Sequence, residues 1–162
     1  MTTGLFIGRF QPFHNGHLHV IKQMLEECDE IVIGIGSANS EITEKNPFSA
    51  AKREEMVEGV MESEVRGTGD RGSDAPKYRI ILINDQETHQ QWAEEVRKKA
   101  EPFDILYVSG DNVRLDFIRA CGFEVKEADF INGISATKIR ELMKNNSEWE
   151  GLVPKAVLSL LH

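Results

Sequence analysis

The sequence predicts an α/β fold, a doubly wound, five-stranded parallel sheet with helices on both faces. Three observations lead there. Short, nearly unbroken apolar runs recur along the chain, as strands buried on both faces require. Segments with helical periodicity lie between these runs, and such alternation implies right-handed crossovers and a parallel sheet. The 162 residues suffice for one domain with a sizeable core, so residues 1–162 are expected to fold as one unit.

The elements follow in order. Gly4–Gly8 (GLFIG) is the first strand, and His17–Glu27 the first helix, with Leu18, Ile21, Met24 and Leu25 on one face. Glu30–Gly36 (EIVIGIG) is the second strand. Ser49–Ser63 then aligns Ala50, Met56, Val57, Val60 and Met61, with Arg53 as a polar exception in the apolar stripe. Tyr78–Asn84 (YRIILIN) precedes the helix His89–Ala100, which carries Trp92, Ala93 and Val96. Asp104–Ser109 (DILYVS) precedes Val113–Cys121, with Leu115, Phe117 and Ile118, and Gly122 suits the left-handed turn that ends a helix. Phe123–Glu127 is the fifth strand, and Ala136–Asn145 and Pro154–Leu161 are the last helices. Between the second helix and third strand, Arg66–Lys77 (RGTGDRGSDAPK) reads as a mobile surface loop long enough to act as a lid.

Composition narrows the function classes. Nineteen Lys and Arg against 27 Asp and Glu give a net charge of −8, which disfavours nucleic acid and anionic membranes as partners. An anionic ligand then needs a locally positive site. With 40% hydrophobic and 28% charged residues, the chain is neither disordered nor fibrous. No apolar run approaches the ~20 residues that span a bilayer. Met1–Phe10 lacks the basic start and long apolar stretch of a signal peptide, so a cytoplasmic protein is expected. Cys28 and Cys121 each end a predicted helix and read as reduced packing residues, and neither has a zinc-like partner nearby.

Two segments carry chemistry. The turn after the first strand reads Gly8-Arg9-Phe10-Gln11-Pro12-Phe13-His14-Asn15-Gly16-His17. In a doubly wound sheet, ligands bind beyond the carboxyl ends of strands, where a helix N-terminus offers free N–H groups to an anion such as phosphate. His14 and His17, three residues apart, both lie near that helix start, and Gly16 leaves room for close approach. A His-x-x-His pair alone could be two solvated imidazoles or half of a metal site. A mononuclear site needs about three protein ligands, and no carboxylate or cysteine accompanies this pair. His19 and His162 read as solvated side chains. The second segment is Ile134-Ser135-Ala136-Thr137-Lys138-Ile139-Arg140, where Ser135 is a plausible N-cap and Thr137, Lys138 and Arg140 place a hydroxyl and two cations near the first turn.

Taken together, GRFQPFHNGH and ISATKIR resemble the HxGH and ISxTxxR motifs of the nucleotidyltransferase superfamily, specifically the archaeal-type nicotinamide mononucleotide (NMN) adenylyltransferases. The similarity continues through Asn46-Pro47-Phe48-Ser49-Ala50, Asn84-Asp85 followed by Trp92, Ser109-Gly110-Asp111-Asn112, and Trp149 with Leu152-Val153-Pro154, and so spans nearly the whole chain. The resemblance implies a Rossmann-like sheet of order 3-2-1-4-5 and transfer of AMP from ATP to the 5′-phosphate of NMN, giving NAD and pyrophosphate. It implies His14, His17 and Arg140 as catalytic residues. Gly8, Arg9, Phe10, Gly16, Lys45, Ser109, Gly110, Asp111, Asn112, Ile134, Ser135 and Thr137 would bind ATP; Asn84, Asp85 and Trp92 would bind NMN, with the indole stacked on the nicotinamide. Mg²⁺ is implied as a cofactor carried by the ATP phosphates, with no metal ligand from the protein. The family is often oligomeric, so a homo-oligomer is also implied. Lys45 stands where many members have arginine, and SGDN replaces the more usual SGN or SNE, leaving the binding role to Asp111 or Asn112. Two alternatives remain: a related enzyme with FMN, phosphopantetheine or glycerol-3-phosphate as acceptor, and a sensor that binds NMN or NAD without turnover. Trp92 and Arg9-Phe10-Gln11-Pro12 weigh against the first; His14, His17 and Arg140 weigh against the second.

Overall fold

A computed structural model describes residues 1–66, 76–109, 115–129 and 131–162. Five strands, β1 (Thr3–Gly8), β2 (Glu30–Ile35), β3 (Lys77–Leu82), β4 (Ile105–Val108) and β5 (Val125–Glu127), form one sheet in the order β3-β2-β1-β4-β5. Every pairing is parallel, with Phe6 opposite Ile33 on one side and Tyr107 on the other. The helices are α1 (Asn15–Glu27), α2 (Ala50–Val60), α3 (His89–Ala100), α4 (Leu115–Ala120), α5 (Ala136–Lys144) and α6 (Lys155–Leu161).

Side chains alternate across the pleat and feed two cores. Phe6, Ile31, Ile33 and Ile35 face one layer with Ile21 and Met24 of α1, Met56 and Val57 of α2, Ile139 of α5 and Val157 of α6. Leu5, Val32, Leu106 and Val108 face the other, with Ala93, Val96 and Ala100 of α3 and partly buried Leu115 and Ile118 of α4. Burial on both faces explains why the strands read as continuous apolar runs. Cys28 joins the first layer and Cys121 the second, so the sheet separates two free thiols.

Several boundaries differ from the periodicity for local reasons. Helix α1 begins at Asn15 because His14 caps it. The helix α2 stops at Val60 and widens into a π-helical turn, Met61–Arg66, while a 3-10 turn occupies Glu150–Leu152. Strand β5 begins at Val125, because Gly122 turns the chain at φ +84 and Phe123 is buried in the second core. Most of the proposed lid, residues 67–75, lies outside the described residues. Among those described, no helix is long and apolar enough to cross a membrane.

The strand order reverses between β1 and β4, so the segments leaving them in opposite directions open a crevice at their carboxyl ends. Both sequence motifs converge there.

Candidate active site

A cleft of about 540 Å³ lies beyond β1, lined on one side by Gly8, His14, Gly16 and His17 and on the other by Ile134, Ser135, Thr137 and Lys138, with Ser109 from the end of β4. It brings together residues separated by more than a hundred positions in the chain.

The histidine pair is built into the start of α1. The His14 Nδ1 accepts the Gly16 N–H at 3.0 Å, and the His17 Nδ1 accepts the His14 N–H at 3.1 Å. The two imidazoles thus form a reciprocal capping box, a role more often taken by Ser or Thr with Glu. Because each Nδ1 receives a backbone N–H, each neutral ring carries its proton on Nε2. Both rings are therefore held as neutral Nε2–H donors. They stack with centroids 3.6 Å apart, so two positive charges would repel strongly. Burial lowers the pKa of His14 to about 4. Burial, followed by repulsion from His14, pushes His17 well below its ordinary value.

An aromatic wall supports the pair. Phe10 meets His17 edge-on at 4.8 Å, and Phe13 and Phe6 lie at 5.3 and 6.1 Å. Phe10 is fully buried at φ +54, an uncommon conformation for a bulky residue. Gly8 permits that packing, since a Cβ there would lie 2.8 Å from the Phe10 ring; at Gly16 a Cβ would lie 2.8 Å from His14 Cε1. These two glycines make room for rings.

Across the cleft, Ser135 caps α5 by accepting the Lys138 N–H at 3.1 Å, and Lys138 Nζ donates to the Gly133 carbonyl at 2.9 Å. Arg140 lies behind this edge: its guanidinium donates to the Gln11 carbonyl at 2.8 Å and to Thr137 Oγ1 at 3.3 Å. It joins α5 to the β1–α1 turn. Burial and then the Arg9 charge lower the Arg140 pKa without threatening its protonation.

The remaining sequence-selected residues divide. Gly8, Gly16, Ser109, Ile134, Ser135 and Thr137 line the cleft with His14 and His17. Phe10 stands behind His17 and contributes support. Arg9 is exposed at the turn, and Lys45 is exposed on the segment between β2 and α2. Gly110, Asp111 and Asn112 lie outside the described residues. Asn84, Asp85 and Trp92 stand apart from the cleft lining. The Asn84 N–H donates to Glu95 at 3.5 Å, and the Asp85 carboxylate accepts the Ser37 and Ser40 hydroxyls at 2.9 and 3.4 Å. Asp85 thus links the segments that follow β2 and β3. Trp92 is half-buried against Phe117 and Phe123, at 5.6 and 6.5 Å. His19 is exposed; His162, also exposed, stacks over Trp149 at 5.6 Å.

Sequence reasoning passed over Gln11 and Arg53. Buried Gln11 exchanges two 2.9 Å bonds with the Phe48 backbone, tying the β1–α1 turn to the Asn-Pro-Phe segment. Arg53 was visible only as a charge in an apolar stripe. Among the described residues, no group of three or more His, Cys, Asp or Glu side chains is arranged to hold a metal ion.

Residues 5–142 match the cytidylyltransferase-like family model. The nicotinamide-nucleotide adenylyltransferase of Thermococcus sibiricus is 36% identical over 160 residues, covering 98% of this chain and 82% of the relative. That of Pyrobaculum arsenaticum is 37% identical over 165 residues, covering 99% and 88%. The chain belongs to the nicotinamide-nucleotide adenylyltransferase family. Solved structures share the fold of this adenylyltransferase family member. A bifunctional NMN adenylyltransferase/ADP ribose pyrophosphatase from Francisella tularensis, complexed with AMP and a Mn ion, aligns with TM-score 0.69 at 24% identity over 99% of this chain. The chain spans about half of that longer protein, 52% of its length. A putative nicotinate-nucleotide adenylyltransferase from Vibrio parahaemolyticus aligns over the full length of both chains, with TM-score 0.64 at 16% identity.

Proposed function

We propose that this family member transfers AMP from ATP to the 5′-phosphate of NMN, giving NAD and pyrophosphate in NAD biosynthesis. One observation carries the reading at the level of the site: two capped helix starts, one bearing paired neutral imidazoles and the other hydroxyls and a lysine, face each other across one cleft. Such a cleft suits a polyphosphate, which gains from convergent N–H and O–H donors and local positive charge.

In the step, an oxygen of the NMN phosphate forms a bond to the α-phosphorus of ATP as the bond to the bridging oxygen of pyrophosphate breaks. No covalent enzyme intermediate is needed, and catalysis consists of positioning and charge stabilisation. The Nε2–H groups of His14 and His17 donate to α-phosphate oxygens as negative charge builds. Ser135, Thr137 and Lys138 hold the departing phosphates, while Arg140 fixes the turn that carries the histidines and Arg9 adds positive charge at its rim. Among the described residues, the cleft lining offers imidazole, hydroxyl, amide, ammonium and backbone N–H groups and no carboxylate. It therefore suits Mg²⁺ that arrives on the triphosphate, with phosphate oxygens and water as ligands.

Pyrophosphate release with ATP, Mg²⁺ and separate acceptors tests the reaction. NAD, identified by mass with NMN alone, is the expected product. Turnover only with FMN or phosphopantetheine would replace NMN as acceptor, and binding without turnover would establish a sensor. For Trp92, a cation–π contact with the nicotinamide is worth ~0.5–2 kcal/mol. Trp92→Ala is accordingly expected to weaken NMN binding by about 2- to 30-fold and ATP binding much less. Equal losses for both ligands in titration calorimetry would remove the indole from the NMN site.

A further inference from the structure

We propose that Arg53 is a positioning residue for the reaction, holding the turn behind the His14–His17 pair; this rests on the adenylyl-transfer reading above. Arg53 is 1% exposed, although it belongs to α2 and lies outside the cleft lining. Its guanidinium spends its hydrogen bonds on main-chain carbonyls: Nη1 donates to Arg9 at 2.9 Å and Gly36 at 2.6 Å, Nη2 to Ser37 at 3.1 Å, and Nε to Ser49 at 3.3 Å. Those carbonyls belong to the segments leaving β1 and β2 and to the N-cap of α2. A buried cation costs free energy that apolar packing at the same place would avoid. What the cation supplies here is a planar fork that several oxygens can share, which a lysine point charge cannot reproduce.

Two of the contacts meet uncommon backbone. The Arg9 carbonyl immediately precedes Phe10, at φ +54, and Ser37 itself sits at φ +49. Side-chain-bearing residues persist in this region when their surroundings over-determine them. Arg53 fixes the peptide before Phe10, Phe10 lays its ring edge-on against His17, and His17 carries one of the two Nε2–H donors. The chain of contact runs from α2 to the imidazole without Arg53 touching the cleft.

Arg53→Lys and Arg53→Met test this in the full-length protein, through NAD formation and the His14 and His17 imidazole NMR signals. Catalytic geometry misplaced by about 1 Å costs up to ~10²-fold in rate. The expected result is a 10- to 100-fold fall in kcat for both folded variants, a much smaller change in KM for ATP, and shifted imidazole resonances. Ethylguanidinium is expected to restore part of kcat in Arg53→Met. Unchanged kcat and imidazole signals in a folded variant would overturn the proposal. Failure of Arg53→Lys to fold would also overturn it, by assigning Arg53 to the core alone. If wild-type protein makes no NAD, the functional reading fails, whereas imidazole shifts in the variants would still show that Arg53 orients the pair.

Discussion

Replacing His17 by alanine is expected to cut turnover by about 10²-fold or more, as loss of one preorganised transition-state donor does. His17 has two separable jobs. Its Nδ1 completes the reciprocal cap on α1, and in the proposed reaction its Nε2–H donates to the α-phosphate from the cleft lining. Loss of a cap costs about 1 kcal/mol, a small part of the ~5–15 kcal/mol that holds a typical domain folded. The alanine variant should therefore stay folded, with a modest fall in denaturation midpoint and a far larger fall in kcat for NAD formation. Near-normal turnover in the folded variant would remove His17 from the chemistry.

The second large effect is acid destabilisation. His14 has an ordinary pKa of 6.5 when unfolded and about 4 when folded, because burial disfavours its charged form. Between these values the unfolded chain binds the extra proton, so stability falls as pH falls. The full contribution is present above pH 6.5 and lost progressively toward pH 4; the shift corresponds to about 3 kcal/mol, taking 1.36 kcal/mol per unit. His17 acts in the same direction. Glu27, held down to about 2 chiefly by Lys126 and then by the Tyr107 hydroxyl, loses its contribution at lower pH, between 4.5 and about 2, so the windows separate. Urea unfolding measured from pH 7 to pH 4 should show the loss, and His14→Asn should reduce its slope. An unchanged slope in the variant would show that burial of His14 does not govern the acid limit.

The fold was legible because strands buried on both faces leave no alternation to misread, and each helix shows its core through Leu, Ile, Met and Val at helical spacing. Helix α3 falls on the predicted His89–Ala100 because Thr88 and Gln91 form a capping box from residue types with known preferences. The start of α1 was placed two residues late, because histidine is not an ordinary N-cap and its capping is visible only in three dimensions. The facing motifs marked most of the cleft lining. Arg140 and Phe10 show the limit of that reading: a motif gives residues without saying whether they line the cleft or brace the residues that do. Asp85 shows it too, its carboxylate serving two serines on a neighbouring loop. Arg53 was hidden because its partners are backbone carbonyls, which every residue possesses and no sequence pattern marks.

The bond from Arg140 to the Gln11 carbonyl spans 129 positions, and this has a consequence for synthesis on the ribosome. Strands β1 and β2 can pair early, but the cleft has no second wall until residues 131–140 have emerged and docked. A nascent chain therefore acquires much of its core before it acquires the cleft proposed to hold a triphosphate. With ATP in this cleft as proposed, nucleotide binding then favours only chains that have closed this long loop, so cellular ATP would act as a late selector for assembled molecules over partly folded ones.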